Sequence, residues 1–365
     1  MSAQPRTAMN AVAEFLDRIP KAEVHCHFVG AIPADVAWSI AARNDVPLPA
    51  KSAATLYQYD NFHDFIERYM SIARAFRRAE DFAEGVYAIL RDGLRNGNVQ
   101  YRELFFNPTD HYPGGMTYPA MLDGLLAGIA AAESDLGVRC RLIPSINRME
   151  SAQVALDMVE EVIAHPHPQV IGIGLDAAEP AGPPEKFAEA FQRAGRAGLR
   201  RTAHAGEDYA GLDGGPPSNA TTCLDVLGCD RLDHGYNILA DPEVVARCRT
   251  EQIPFTCCLP GSNPTLRPAR IDSIRTMLDE GLAVSLHTDD PAMHRTTPGE
   301  VYELARRGLE LSVEQMVDLS YAALDAAWLD ADERGELRRS FQRETEDLRA
   351  ELLPAPEVHG GADRH

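Results

Sequence analysis

Four short stretches of this chain concentrate side chains able to hold a metal ion or move a proton. They are His25-Cys26-His27, His204-Ala205-Gly206-Glu207, Asp233-His234-Gly235 and Asp289-Asp290. On a strand, successive side chains point to opposite faces, so His25 and His27 share a face. Imidazole nitrogens suit a borderline divalent ion such as zinc, and a carboxylate completes such a set. The natural ligands are His25, His27, His204 and Asp289 around one ion, with a water in the remaining position. A lone histidine at a strand end is usually just a hydrogen-bonded polar residue, but several strand ends each carrying a ligand type are harder to dismiss. His165-Pro166-His167 repeats the H-x-H spacing, yet it follows a helix and is broken by proline, so it reads as a surface loop. His63, His111, His294, His359 and His365 read the same way. Asp176 ends the fourth strand and leaves a bridging acid open; none of Lys21, Lys51 and Lys186 ends a strand, and a single ion is favoured.

The elements that must position these residues are visible as eight β-rich runs. They cover 22–28, 99–106, 138–146, 170–175, 201–205, 231–235, 254–258 and 283–288. Several are almost continuously apolar, as strands buried on both faces should be. Helix signals fall between them: 81–94 opens on an acid, 151–163 on a serine cap, and 185–197 follows a Gly-Pro-Pro turn. Strand and helix alternating eight times predict an α/β fold, a (β/α)8 TIM barrel, whose reactive groups gather at the C-terminal ends of its strands. The stretch 31–98 is a helical insertion after strand 1 (61–75, for example) that would roof the barrel mouth. The expected organisation is an N-terminal segment 1–12, one barrel domain 13–353, and a polar, disordered tail 354–365.

Composition narrows the function classes. The 365 residues carry 35 Lys and Arg against 55 Asp and Glu, a formal net charge of −20. Such a field repels nucleic acid, and no basic groove offsets it. No apolar run approaches the ~20 residues of a membrane span, and the first ten residues lack the order of a signal peptide. The 7 cysteines are odd in number, and Cys26, Cys140, Cys257 and Cys258 lie in or beside apolar runs as small buried hydrophobes. A reduced, cytoplasmic protein is expected, with a small molecule as its partner and its oligomeric state unreadable.

From about Phe15 to Met293 the chain resembles the adenosine/adenine deaminase family. The matching segments are KAEVHCHFVGAI, ELFFNP, VIGIGLDAAE, AHAGE, RLDHGYN and SLHTDDP, in the family's order. The run GIGLDAAE at 172–179, followed by a Gly/Pro turn, and Arg231-Leu232-Asp233-His234-Gly235 resemble the adenine-type branch. This resemblance implies zinc-dependent replacement of a ring amino group by oxygen, with release of ammonia from an aminopurine or nucleoside. It implies that His234 and Asp290 orient or accept the proton of the attacking water, which the metal brings towards neutrality. It implies that Glu207 protonates the neighbouring ring nitrogen, kept protonated by partial burial. Asp290 would also touch the five-membered ring, and the backbone N–H near Ala177 would donate to the base.

The chain departs from the family at its recognition residues. Val29 stands before Gly30 where the family usually has an acid that helps hold the substrate. Ala177 and Ala178 replace two serines, and His287 stands where Asn or Ser is common. The region 257–263 is longer than the family's corresponding motif. The hydrolytic residues are intact while the surrounding shell is less polar, which leaves adenine, adenosine and a modified purine open as substrates. Two other readings stand beside it: a catalytically silent purine-binding relative, and a metal-dependent hydrolase of another C–N bond or of an ester.

Overall fold

The computed structural model describes residues 8–207, 214–259 and 267–353. Eight parallel strands run in sequence order around one sheet: β1 (Lys21–Glu23), β2 (Val99–Phe106), β3 (Arg139–Asn147), β4 (Gly172–Asp176), β5 (Arg200–Ala205), β6 (Arg231–His234), β7 (Pro254–Cys258) and β8 (Ala283–His287). Every neighbouring pair from β1 to β8 is hydrogen-bonded in parallel register. With helices between successive strands, this is the expected (β/α)8 barrel. The apolar runs become strands because helices cover the sheet outside and side chains fill it inside, leaving no wet face.

The first strand differs from its expected span. Its ladder ends at Glu23, and His25 and His27 lie beyond it. They are held instead by isolated bridges, Cys26 to Asp289 and His27 to Phe105. The seam between β8 and β1 closes through these residues: His27 N–H donates to the Asp289 carbonyl at 2.9 Å and Asp289 N–H to the His25 carbonyl at 3.3 Å. The backbone that closes the barrel is therefore the backbone that carries the candidate ligands. Outside the seam, the helix Val313–Ala326 packs on β1 and β8.

Charged residues are buried around the strands in matched sets. Arg231 donates to Glu103 at 2.5 Å, to the Val24 carbonyl at 3.0 Å and to the Ala326 carbonyl at 3.2 Å, and it lies over the Trp328 ring. Arg102 pairs with Glu23, whose other oxygen accepts Thr288 N–H at 2.9 Å. Fully buried charges persist only when paired in this way. The Glu23 bond fixes the residue just before Asp289 and so ties the floor to the site.

The insertion after strand 1 is helical as expected. It contributes Phe28–Ala31, Ala34–Arg43, Ala53–Leu56 and Phe62–Ala73 before Ala79–Arg95 begins the barrel's outer layer. The helix Ala8–Arg18 crosses the boundary expected at residue 12 and buries Phe15 and Leu16 in the main core. The expected tail, 354–365, lies outside the described residues. No described helix is long and apolar enough to cross a membrane. All seven cysteines are buried with free thiols, as expected of Cys26, Cys140, Cys257 and Cys258.

Candidate active site

Strand ends deliver the site. Ala177 follows β4, Gly206 follows β5, His234 ends β6 and Asp289 follows β8, and all four adopt left-handed backbone, with φ of 68°, 67°, 67° and 68°. Glycine takes that conformation freely, whereas each of the other three costs on the order of 1–3 kcal/mol, a strain typical of functional sites. The chain turns sharply at the barrel rim and leaves these side chains facing inward.

The expected ligands converge. His25 Nε2 and His27 Nε2 approach the same Asp289 Oδ1 at 3.2 and 3.3 Å, and His27 Nε2 lies 3.2 Å from His204 Nε2. The tightest grouping differs from the expected set by one residue: His25, His204, His234 and Asp289 each offer a ligand atom within 4.8 Å of the others, with His234 in the place expected for His27. The outer ring nitrogens face partners of their own. His25 Nδ1 lies 2.8 Å from Thr256 Oγ1, which donates to Asp233 Oδ1 at 2.8 Å. His204 Nδ1 faces Asp233 Oδ2 at 3.4 Å, and His27 Nδ1 faces Asp176 Oδ2 at 3.6 Å. The contact at His25 Nδ1 turns its inner nitrogen to the centre, and carboxylates face the outer nitrogens of His204 and His27, as in metal–histidine–carboxylate arrangements. His25 Nε2 is fully buried with no hydrogen-bond partner among the described residues. This donor set, orphaned nitrogen and shared carboxylate oxygen fit a divalent ion.

Asp176 is placed behind His27 rather than between two ion sites. One of its oxygens faces His27 Nδ1 and the other accepts Asn107 Nδ2 at 2.7 Å. Its position favours one ion over a bridged pair.

The charges around the centre are strongly biased. Burial opposes a proton on His27, but the bond to Asp289 and the charges of Asp290, Asp289 and Asp176 outweigh it and push the imidazole up to about 10. His234 behaves oppositely: burial, reinforced by its neighbour His25, holds it well below the ordinary histidine value. It is neutral at pH 7 and its Nε2 can accept a proton. Burial, with Asp289 and Glu207 close by, raises Asp290 to about 8 although His27 opposes the shift. Asp233 stays ionised: its bond to His204 and the charge of His25 overcome its burial.

Glu207 is buried, as expected, at 8 % exposure. Its Oε2 lies 3.5 Å from His234 Nε2, and its Oε1 accepts Arg270 Nη2 at 2.6 Å. Its surroundings therefore include an arginine as well as apolar burial. The turn before it is pinned by Glu179, which accepts Gly206 N–H at 2.9 Å, Gly215 N–H at 3.2 Å and Asn219 Nδ2 at 2.7 Å. Gly30 is packed on Asp290: a Cβ there would sit 1.7 Å from Asp290 Oδ1. Val29, on the same short helix, is 2 % exposed within the apolar cluster.

Two histidines read as surface residues are not. His111 is fully buried, packed against Phe28, Phe76 and Phe82, with Nδ1 2.8 Å from the Ala73 carbonyl. His294 groups with Asp289 and Asp290 and stacks on Phe65 of the roof. The folded insertion buries His111 and packs Phe65 on the half-buried His294. His63 is exposed and 165–167 lies at the surface, as expected, while His359 and His365 fall outside the described residues. His287 is core: its ring bridges Val24 N–H and Ser285 Oγ. Arg270 was not singled out, and no local signal marks it; its partner is 63 residues away.

A parallel barrel with a His/Asp cluster at its strand ends defines a metal-dependent hydrolase. Comparison with known proteins narrows the class. The Adenosine deaminase family pattern matches residues 20–343. An adenine deaminase from Streptomyces coelicolor is 35% identical over 340 residues, covering 91% of this chain and 96% of that protein. A zinc-bound amidohydrolase from Burkholderia ambifaria superposes with a TM-score of 0.86 at 30% identity, covering 97% of both chains. An adenine deaminase structure from Arthrobacter aurescens superposes with a TM-score of 0.80 at 30% identity, covering 90% of this chain and 98% of that one. The chain belongs to the adenosine deaminase family and is a metal-dependent hydrolytic deaminase.

Proposed function

We propose that this enzyme is a zinc-dependent deaminase of an aminopurine, with free adenine as the first candidate substrate. The observation that carries the reading is the placement of Glu207 Oε2 3.5 Å from His234 Nε2, beside the His/Asp cluster. The Streptomyces coelicolor and Arthrobacter aurescens relatives are adenine deaminases, and the Burkholderia ambifaria structure holds zinc. His25, His27, His204 and Asp289 would hold one zinc ion. When bound, the ion makes a water acidic enough to act as a nucleophile near neutral pH.

The remaining chemistry belongs to side chains of this chain. His234, neutral because it is buried, takes the water's proton at Nε2, steadies the oxyanion that forms at the attacked carbon, and passes that proton to the amino nitrogen, whose bond to the carbon breaks so that it leaves as ammonia. Glu207 delivers a proton to the ring nitrogen beside that carbon, which breaks the aromaticity and makes the carbon electrophilic. Asp290 orients the water and holds the five-membered ring. The N–H near Ala177, at the rim above β4, donates to the base, and Gly30 lets Asp290 approach. Val29 and Ala178 leave this recognition surface less polar than the family's, so substituted adenines and adenosine compete with adenine as substrates. The chain works as one domain that includes the helix Ala8–Arg18 and runs to residue 353, and its free, buried thiols suit the cytoplasm. Its net charge of −20 favours a small molecule over nucleic acid as partner.

The test is ammonia release by zinc-loaded protein across adenine, adenosine, deoxyadenosine, N6-methylated and 2-substituted aminopurines, pterins and cytosine, with simple amides and esters as controls. Turnover of adenine or a substituted aminopurine is expected. Activity confined to amides or esters, or silence across the whole panel, overturns the reading.

A further inference from the structure

We propose that Arg270 is a positioning residue for Glu207, holding one carboxylate oxygen so that the other faces the reacting ring. This rests on the role of Glu207 proposed above. Arg270 lies in the helix Arg267–Asp279, which otherwise packs on the barrel through Ile274 and Met277. It is 3 % exposed, and burying a guanidinium is costly unless it is well paired. Its contacts include three groups of the described residues. Nη2 donates to Glu207 Oε1 at 2.6 Å, Nη1 reaches the Cys258 carbonyl at 3.4 Å, and the guanidinium carbon lies 5.1 Å from the centre of the Tyr236 ring.

Tyr236 is itself fixed. Its hydroxyl donates to the Cys258 carbonyl at 3.0 Å, accepts Cys258 N–H at 2.8 Å and lies 3.3 Å from His234 Nδ1. A ring of contacts results: Arg270 holds Glu207 Oε1, Glu207 Oε2 faces His234 Nε2, His234 Nδ1 meets Tyr236, and Tyr236 stacks on Arg270. The two groups that move protons in the proposed reaction are thus bracketed by two that do not. A glutamate has several rotatable bonds, and a guanidinium bond at one oxygen removes most of that freedom. An apolar residue would anchor the helix to the barrel without the desolvation cost, so anchoring alone does not explain an arginine here.

The experiment compares Arg270→Met and Arg270→Lys in otherwise intact, zinc-loaded enzyme and in the Glu207→Gln background. Metal content and circular dichroism are measured alongside. Misplacement of a reacting group by an ångström lowers turnover about 100-fold, so Arg270→Met should lower kcat by roughly 10- to 100-fold with KM changed far less. Arg270→Lys, which keeps the charge, should recover part of that loss. In Glu207→Gln, Arg270→Met should cost little more, because residues that act as a unit are not additive. The proposal is overturned if Arg270→Met keeps kcat within about twofold, or if its cost is as large without the carboxylate as with it. Should Arg270→Met fail to fold, Arg270→Lys decides: unchanged kcat, or a loss equal in both backgrounds, overturns the proposal. Full activity of Glu207→Gln alone would instead remove the role assigned to Glu207, which is a separate result.

Discussion

Gly30→Ala is the sharpest probe of the site, because the structure sets its magnitude. The new methyl carbon would lie 1.7 Å from Asp290 Oδ1, 2.4 Å from Cγ and 2.5 Å from Cβ. Ordinary contact begins at 3.4 Å. The Asp290 carboxylate must therefore retreat by about 1.7 Å, or the short helix Phe28–Ala31 must lift by a comparable amount. Neither is easy: Asp290 is 7 % exposed, and the Gly30 carbonyl accepts the N–H groups of Ala292 and Met293 at 3.1 and 3.0 Å. Overpacking of this kind costs about 1–3 kcal/mol of stability. A displacement above 1 Å costs about 100-fold or more in turnover. The candidate ligands are not the atoms struck, so metal content should be unchanged. The assay is kcat/KM on the best substrate, with zinc per chain measured on the same preparation. A Gly30→Ala enzyme with full activity and full zinc would refute the assignment of Asp290 to the reacting centre.

Three further outcomes are expected. His111 is held down to about 4 by burial, against an ordinary 6.5. As pH falls the unfolded chain takes up the proton first, so stability is complete above pH 6.5 and is lost progressively down to about pH 4. At about 1.4 kcal/mol per pH unit this amounts to about 3 kcal/mol. His111→Asn, which keeps a donor for the Ala73 carbonyl, should flatten that part of a urea-denaturation pH series; an unchanged slope would refute the account. Arg231→Met strands the buried Glu103 carboxylate and should cost about 3–5 kcal/mol in denaturant unfolding, much of it recovered by adding Glu103→Gln. No recovery would mean that the charge pair is not the cause. Chelation should abolish activity and lower stability, by about 4 kcal/mol when the comparison is zinc at a thousand times its dissociation constant, with both restored by zinc. Activity that survives thorough chelation would exclude the metal centre.

The barrel was legible in the chain because its strands are short apolar runs spaced by helix signals, and that pattern is local. The clustering of the candidate ligands was legible for a related reason. His25 and His27 share a face through strand alternation, and the remaining groups stand at strand ends, where a barrel directs its chemistry. The short ladder of β1 was not legible, since a strand's end is set by its neighbours and not by its own residues. Nor were the burial of His111 and the packing of His294 on Phe65: each stands in a stretch that reads as a loop, and only the folded insertion reaches it.

By itself, then, the sequence determined the βα alternation, the sheltered apolar strands and the residue types that stand at their ends. Tertiary structure alone decided that the barrel seam closes through His25, His27 and Asp289, and that Asp176 backs His27 instead of bridging ions. It alone brought Arg270 onto Glu207 across 63 residues of chain. The physical reason is range. Alternation and apolar spacing are written in contacts between near neighbours in sequence, whereas the ionisation and aim of a buried carboxylate depend on charges and hydrogen bonds that only the closed barrel assembles.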